Sequence, residues 1–190
     1  MERIRTVTLS NRTRLASKEK HKRIKAKDSN LIEIVGSHSY SLNQSKIATL
    51  NARSVRSNLD IIKQITIEDN IQILALTETW LSEDHAYIPR ELCPNGYQFL
   101  RADRVDRPGG GVGILSNASL KPKQIECGEF ASFEHLLVSF KSGSNALRVL
   151  VVYRPPPCLP KDSITYFTSL LEQIALEDSP LVICSDFNLQ

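Results

Sequence analysis

The feature that most constrains this chain is a set of apolar, strand-length runs that each stop on a polar residue. "KIATLN" ends on Asn51, "IQILALTE" on Glu78, "ALRVLVVY" on Tyr153 and "PLVICSD" on Asp186, with Asn188 two residues further on. Near-continuous apolar runs of this length read as buried strands. In a layered α/β domain, strand ends are where a rigid sheet hands side chains to a cleft. At 190 residues the chain is long enough to bury such a core as one ordinary domain.

Between the runs the period changes. In "SNLDIIKQITIED", Leu59, Ile62 and Ile65 recur every three residues. An amphipathic helix is expected there, capped by Ser57 or Asn58. With its flanking strands it makes a strand–helix–strand crossover, which covers one face of a sheet. Strands are expected over Tyr97 to Arg104, in "VGILS", in "FEHLLVSFK" and in "ALRVLVVY", the last two joined by a hairpin turn at "SGSN". The proline run "RPPPCLP" breaks the pattern. A second helix follows, with Asp162 as its cap and Ile164, Phe167, Leu170, Leu171 and Ile174 on one stripe; "PLVICSD" is then a last strand. This order predicts an α/β fold of two packed mixed β-sheets with flanking helices, a four-layer sandwich.

Charge divides the chain. Up to Asn30, ten basic residues stand against three acids, while the whole chain carries only +3, so the remainder is net acidic. Residues 1–45 show no sustained period and read as a basic, disordered leader, and residues 46–190 as the folded part. A basic arm can bind nucleic-acid phosphates or act as a nuclear address, and it can equally be a solvated tail with no partner. No run approaches the ~20 apolar residues of a membrane span, and no secretory signal is visible. The expectation is an intracellular protein, nuclear or cytoplasmic, that is not secreted and engages no membrane. Cys93, Cys127, Cys158 and Cys184 form no C-x-x-C pair and are expected as free thiols, with Cys184 buried in a strand.

Each polar strand end has a structural reading when taken alone. Glu78 can mark a strand that has reached solvent, Asp186-x-Asn188 can be a turn, and Tyr153 can be a half-buried strand tyrosine. Gly109, Gly110, Gly111 and Gly113 precede no G-K-[ST] and no helix, so they are neither a P-loop nor a dinucleotide fingerprint. They fit a turn leading into a strand. Trp80 is open between core and surface, and His85 and His135 carry no assigned role.

The ordered set "LNARS", "LTETW", "GGGVGI", "VVYRPP" and "SDFN" resembles the endonuclease/exonuclease/phosphatase superfamily. It is most similar to the apurinic-type endonuclease domain of non-LTR (LINE-type) retrotransposons, over Lys46 to Gln190, with Ser185 where that family's last motif has glycine. The resemblance implies a metal-dependent phosphodiesterase. Glu78 would be the principal ligand of Mg²⁺, with Mn²⁺ as an alternative, and Asn51 would lie beside it, helping fix the metal or its waters. Tyr153 would contact the scissile phosphate, Asp186 would orient and deprotonate the attacking water, and Asn188 would hydrogen-bond the phosphate or that aspartate. DNA is the implied partner, and a reverse transcriptase would follow in the intact element. The family continues past this last motif with further strands and an aspartate–histidine motif. The resemblance therefore implies a domain incomplete at its C-terminus and inactive as this fragment. Two other readings stay open, a non-catalytic nucleic-acid-binding remnant and a phosphatase of the same superfamily.

Overall fold

The computed structural model describes residues 4–8, 31–32, 45–105, 107–130, 132–142, 144–156 and 160–187. In chain order the elements are β1 (Ile4–Thr8), β2 (Leu31–Ile32), β3 (Lys46–Asn51), α1 (Leu59–Glu68), β4 (Ile73–Thr77), α2 (Ile88–Leu92), β5 (Tyr97–Ala102), β6 (Val112–Asn117), β7 (Lys123–Phe130), β8 (Phe133–Ser142), β9 (Asn145–Tyr153), α3 (Pro160–Ile174) and β10 (Leu181–Asp186). One sheet has the order β2-β1-β3-β4-β6-β5 and the other β10-β9-β8-β7. Both are mixed: β1 pairs parallel to β2 and β3 to β4 in the first sheet, and β9 parallel to β10 in the second, while the remaining neighbours are antiparallel.

Alternation along the strands builds the layers, since successive side chains point to opposite faces. Ile47, Ala75 and Ile114 of the first sheet meet Leu136, Val138, Val149 and Val151 of the second in the central core. The other face of the first sheet, with Ala48, Leu50, Leu74, Leu76 and Leu115, is covered by Ile62 of α1 and Ile88 and Leu92 of α2. The outer face of the second, with Phe133, Leu137, Leu150 and Val152, is covered by Leu170 and Ile174 of α3. The result is the four-layer helix–sheet–sheet–helix sandwich expected from the sequence.

Local chemistry explains the ends of these elements. Asn58 is the N-cap of α1, yet its side chain does not cap the helix; its amide donates to the carbonyls of Ala52 (2.9 Å) and Ser54 (3.2 Å), fastening the loop that leaves β3. The helix α3 begins at Pro160, two residues before the expected cap at Asp162, because proline's fixed φ and missing N–H suit a first helical turn. At its far end, Arg148 of β9 donates to the carbonyls of Ile174 (2.6 Å), Glu177 (2.8 Å) and Ser179 (2.7 Å). A buried cation thus satisfies acceptors that a helix C-terminus leaves over.

Four elements are absent from the sequence expectation, β7, α2, β1 and β2. β7 is an edge strand with a bulge between Gln124 and Glu126, and its polar outer residues hide the apolar alternation. The short helix α2 is held by two buried anchors, Ile88 and Leu92, too few to display a period. β1 and β2 come from the segment read as leader, and β1 lines up antiparallel along β3 from Ile4↔Leu50 to Thr8↔Lys46. The rest of that segment up to residue 44, together with Cys158 and Asn188, lies outside the described residues. Cys93, Cys127 and Cys184 are free thiols. Among the described residues no helix is long and apolar enough to cross a membrane.

Candidate active site

Two parallel strand pairs bring the polar ends together. In the first sheet Asn51 is the register partner of Thr77, so Glu78 emerges beside it. In the second, Asp186 is the register partner of Tyr153. Each parallel pair needs a crossover helix, α1 in one case and α3 in the other, and parallel strands end at the same edge. Face-to-face packing sets β10 against β3 and β4 and so joins the two edges.

The side chains then meet. Asn51 Nδ2 donates to Glu78 Oε1 (2.7 Å) and to Asp186 Oδ2 (2.9 Å). By those two bonds, the carboxylate oxygens are no farther apart than about 6 Å, within the span of one hydrated Mg²⁺ whose direct ligands stand at about 2.1 Å. The Asn51 side-chain oxygen accepts from the backbone N–H of Arg53 (3.2 Å). The Tyr153 hydroxyl donates to Glu78. Burial, followed by the Glu78 charge and this hydrogen bond, pushes the phenol well above its ordinary range, so it stays a proton donor. Asn51, Glu78 and Asp186 are half-buried, whereas Tyr153 is 5% exposed.

The backbone here is strained. Glu78 and Trp80 both have φ of +54°, and Arg53 and Ser54 are also left-handed. Such conformations cost on the order of 1–3 kcal/mol each in bulky residues and persist only where surroundings impose them. Those surroundings are visible: Ser54 N–H donates to Glu78 O (2.9 Å), Val55 N–H to Thr79 O (3.0 Å), Thr79 N–H to Gly111 O (3.2 Å) and Trp80 N–H to Gly110 O (2.9 Å). The glycine turn is therefore a brace for the Glu78 loop. Gly111 has φ of +81°, and a Cβ there would run into Thr79 Oγ1.

Arg104 and Glu134 were not singled out by the sequence. They form a buried ion pair, with side chains 5% and 4% exposed, and Glu134 also accepts from Gly111 N–H. Burial pushes the Glu134 carboxyl up, and the Gly111 N–H and Arg104 pull it back. The Arg104 guanidinium lies 5.8 Å from the centre of the Tyr153 ring. The pair thus connects the glycine turn to the catalytic candidates. Its one sequence signal is a glutamate inside the apolar run "FEHLLV". Neither histidine assigned no role joins this group: His85 hydrogen-bonds Ser82 and Arg56, and His135 is buried against Phe130 on the α3 side.

Two carboxylates and an amide suit Mg²⁺, which takes one or two carboxylates and keeps several waters. They suit zinc less well, because its usual sites combine any carboxylate with histidine nitrogen or cysteine sulfur. Among the described residues no group of three or more His, Cys, Asp or Glu side chains could hold a metal ion.

Neither a family model nor a curated protein sequence matches the chain. Solved structures do match its fold. Humanized D. rerio TDP2 aligns with a TM-score of 0.55 at 16% identity, over 76% of this chain and 62% of that one. An endonuclease/exonuclease/phosphatase family protein from Bacteroides thetaiotaomicron aligns at 0.56 with 13% identity, over 75% and 63%. The 3′ phosphatase NExo from Neisseria, bound to product DNA hairpin, aligns at 0.53 with 21% identity, over 75% and 57%. The chain shares the fold of these three proteins, one of them an endonuclease/exonuclease/phosphatase family protein, and it spans less than two thirds of the length of each.

Proposed function

We propose that the chain belongs to a magnesium-dependent phosphodiesterase of the endonuclease/exonuclease/phosphatase superfamily that nicks DNA, of the type that prepares a target site for a retrotransposon's reverse transcriptase. The observation that carries this reading is the single Asn51 amide hydrogen-bonded to both Glu78 and Asp186. The motif wording "LNARS…LTETW…YRPP" favours the retrotransposon branch. The reading puts the protein inside the cell, with DNA as its partner.

Glu78 would hold the ion, with Asn51 fixing its carboxylate. The chemistry supplied by Mg²⁺, or by Mn²⁺ in its place, is neutralisation of charge that builds on the phosphoryl and leaving oxygens. Asp186 takes the proton of the attacking water as its oxygen bonds to phosphorus and the P–O ester bond breaks. Tyr153, held protonated, would turn its hydroxyl from Glu78 to donate to a phosphate oxygen. Asn188, outside the described residues, is assigned a hydrogen bond to the phosphate. Among the described residues no histidine reaches this group. One donor to the transition state is worth roughly 10²–10³ in rate, so these residues alone are expected to turn over slowly.

Because slow turnover is expected, the test reads the site first. Mn²⁺ titrated into the chain and followed by electron paramagnetic resonance should show one site, weakened more than tenfold by Glu78→Ala and less by Asp186→Ala. Nicking of supercoiled plasmid in Mg²⁺, however slow, should vanish in both variants. Unchanged Mn²⁺ binding in Glu78→Ala refutes the assignment. The second reading is a phosphatase, since NExo, of the same fold, is a 3′ phosphatase. Release of phosphate from a 3′-phosphorylated oligonucleotide without plasmid nicking would select it.

A further inference from the structure

Trp80 is the chain's one tryptophan and is 47% exposed. It lies two residues from Glu78, so their Cα atoms are at most about 7.6 Å apart. Its backbone is left-handed, and its N–H donates to Gly110 O. Against the indole is Gly109, where an added Cβ would stand in ordinary van der Waals contact, 3.6 Å from Nε1. An indole of this size held on a rim leaves a large apolar surface in water.

The surroundings suggest what covers it. The loop after β3 runs alongside, bonded to it through Ser54 N–H to Glu78 O and Val55 N–H to Thr79 O. That loop carries two exposed arginines, Arg53 and Arg56. Arg56 lies 3.2 Å from His85 Nε2, and the His85 ring meets the exposed Tyr87 ring edge-on at 6.5 Å. Glu83 and Asp84 follow on the same stretch, so the arginine side of the patch is where an anionic strand would run. Cations interleaved with exposed aromatic rings match a nucleic-acid strand, in which every phosphate is accompanied by a base with a π-face.

We infer that Trp80 is a stacking platform for an unpaired nucleobase next to the phosphate to be cut, with Arg53 and Arg56 tracking the backbone of that same strand. This rests on the proposed phosphodiesterase reading and deepens it, by making the preferred substrate a single-stranded or locally unstacked segment.

The lone tryptophan makes the test direct. In EDTA, the full chain is titrated with a single-stranded oligonucleotide and with an abasic sugar–phosphate oligomer of equal length. Indole fluorescence reads contact at Trp80, and anisotropy of labelled oligomer reads binding. The base-bearing strand should quench the indole and the abasic one should not. Trp80→Ala should weaken the base-bearing strand about tenfold or more, while Trp80→Phe stays within a few fold. Arg56→Gln should weaken both oligomers alike and lower the salt slope by about 0.7. Equal quenching by both oligomers, or an affinity indifferent to Trp80→Ala, overturns the inference and leaves the metal site untouched. If neither oligomer binds, the inference falls, whereas plasmid nicking and loss of Mn²⁺ binding in Glu78→Ala still stand or fall separately.

Discussion

Replacing Glu134 by alanine isolates the brace behind the candidate site. The carboxylate it removes is the partner of Arg104 and the acceptor for Gly111 N–H, both in a region from which water is almost excluded. Breaking one side of a buried pair costs about 3–5 kcal/mol, because a cation is stranded rather than because the pair was strongly favourable. Here Glu129, 3.8 Å from Arg104 and 27% exposed, offers partial relief and puts the expected loss near the lower end, about 3 kcal/mol. With an m-value of about 2 kcal/mol/M, the urea midpoint should fall by about 1.5 M. The burial that pushes Glu134 up implies that pairing only offsets desolvation. The double variant Glu134→Leu with Arg104→Met should therefore recover most of the loss. A Glu134→Ala midpoint within about 0.3 M of the parent would refute the reasoning, and so would a double variant no better than the single.

Two further outcomes follow from burial and backbone geometry. Burial holds His135 below its ordinary pKa, with Glu126 at 3.6 Å pulling the other way. Below about pH 6.5 the unfolded chain takes up a proton that the folded one refuses, so stability is full above that pH and declines as pH falls through it; thermal melts of His135→Phe across this range should be flatter than those of the parent. Gly111→Ala places a Cβ against Thr79 Oγ1 at a left-handed φ, and a loss of about 1–3 kcal/mol is expected by urea unfolding, with weaker Mn²⁺ binding because the Glu78 loop loses its brace; an unchanged Mn²⁺ affinity would separate the turn from the site.

The sequence by itself determined the strands that matter and the residues at their ends. Near-continuous apolar runs marked out β3, β4, β9 and β10, and their polar stops named Asn51, Glu78, Tyr153 and Asp186, because a charge or amide at the end of a buried run has to face solvent, a partner or an ion. The hairpin between β8 and β9 was legible from "SGSN". What the strings of letters could not carry was adjacency. Asn51 and Asp186 are 135 residues apart and touch only because two sheets pack face to face with their parallel pairs ending at one edge. The Arg104–Glu134 pair, the left-handed backbone at Glu78 and the outward indole of Trp80 likewise arise from contacts between segments distant along the chain, and a period read within one segment has no access to them. Edge strand β7 stayed hidden for the converse reason: with few neighbours to pack against, it needs little apolar pattern to keep its place.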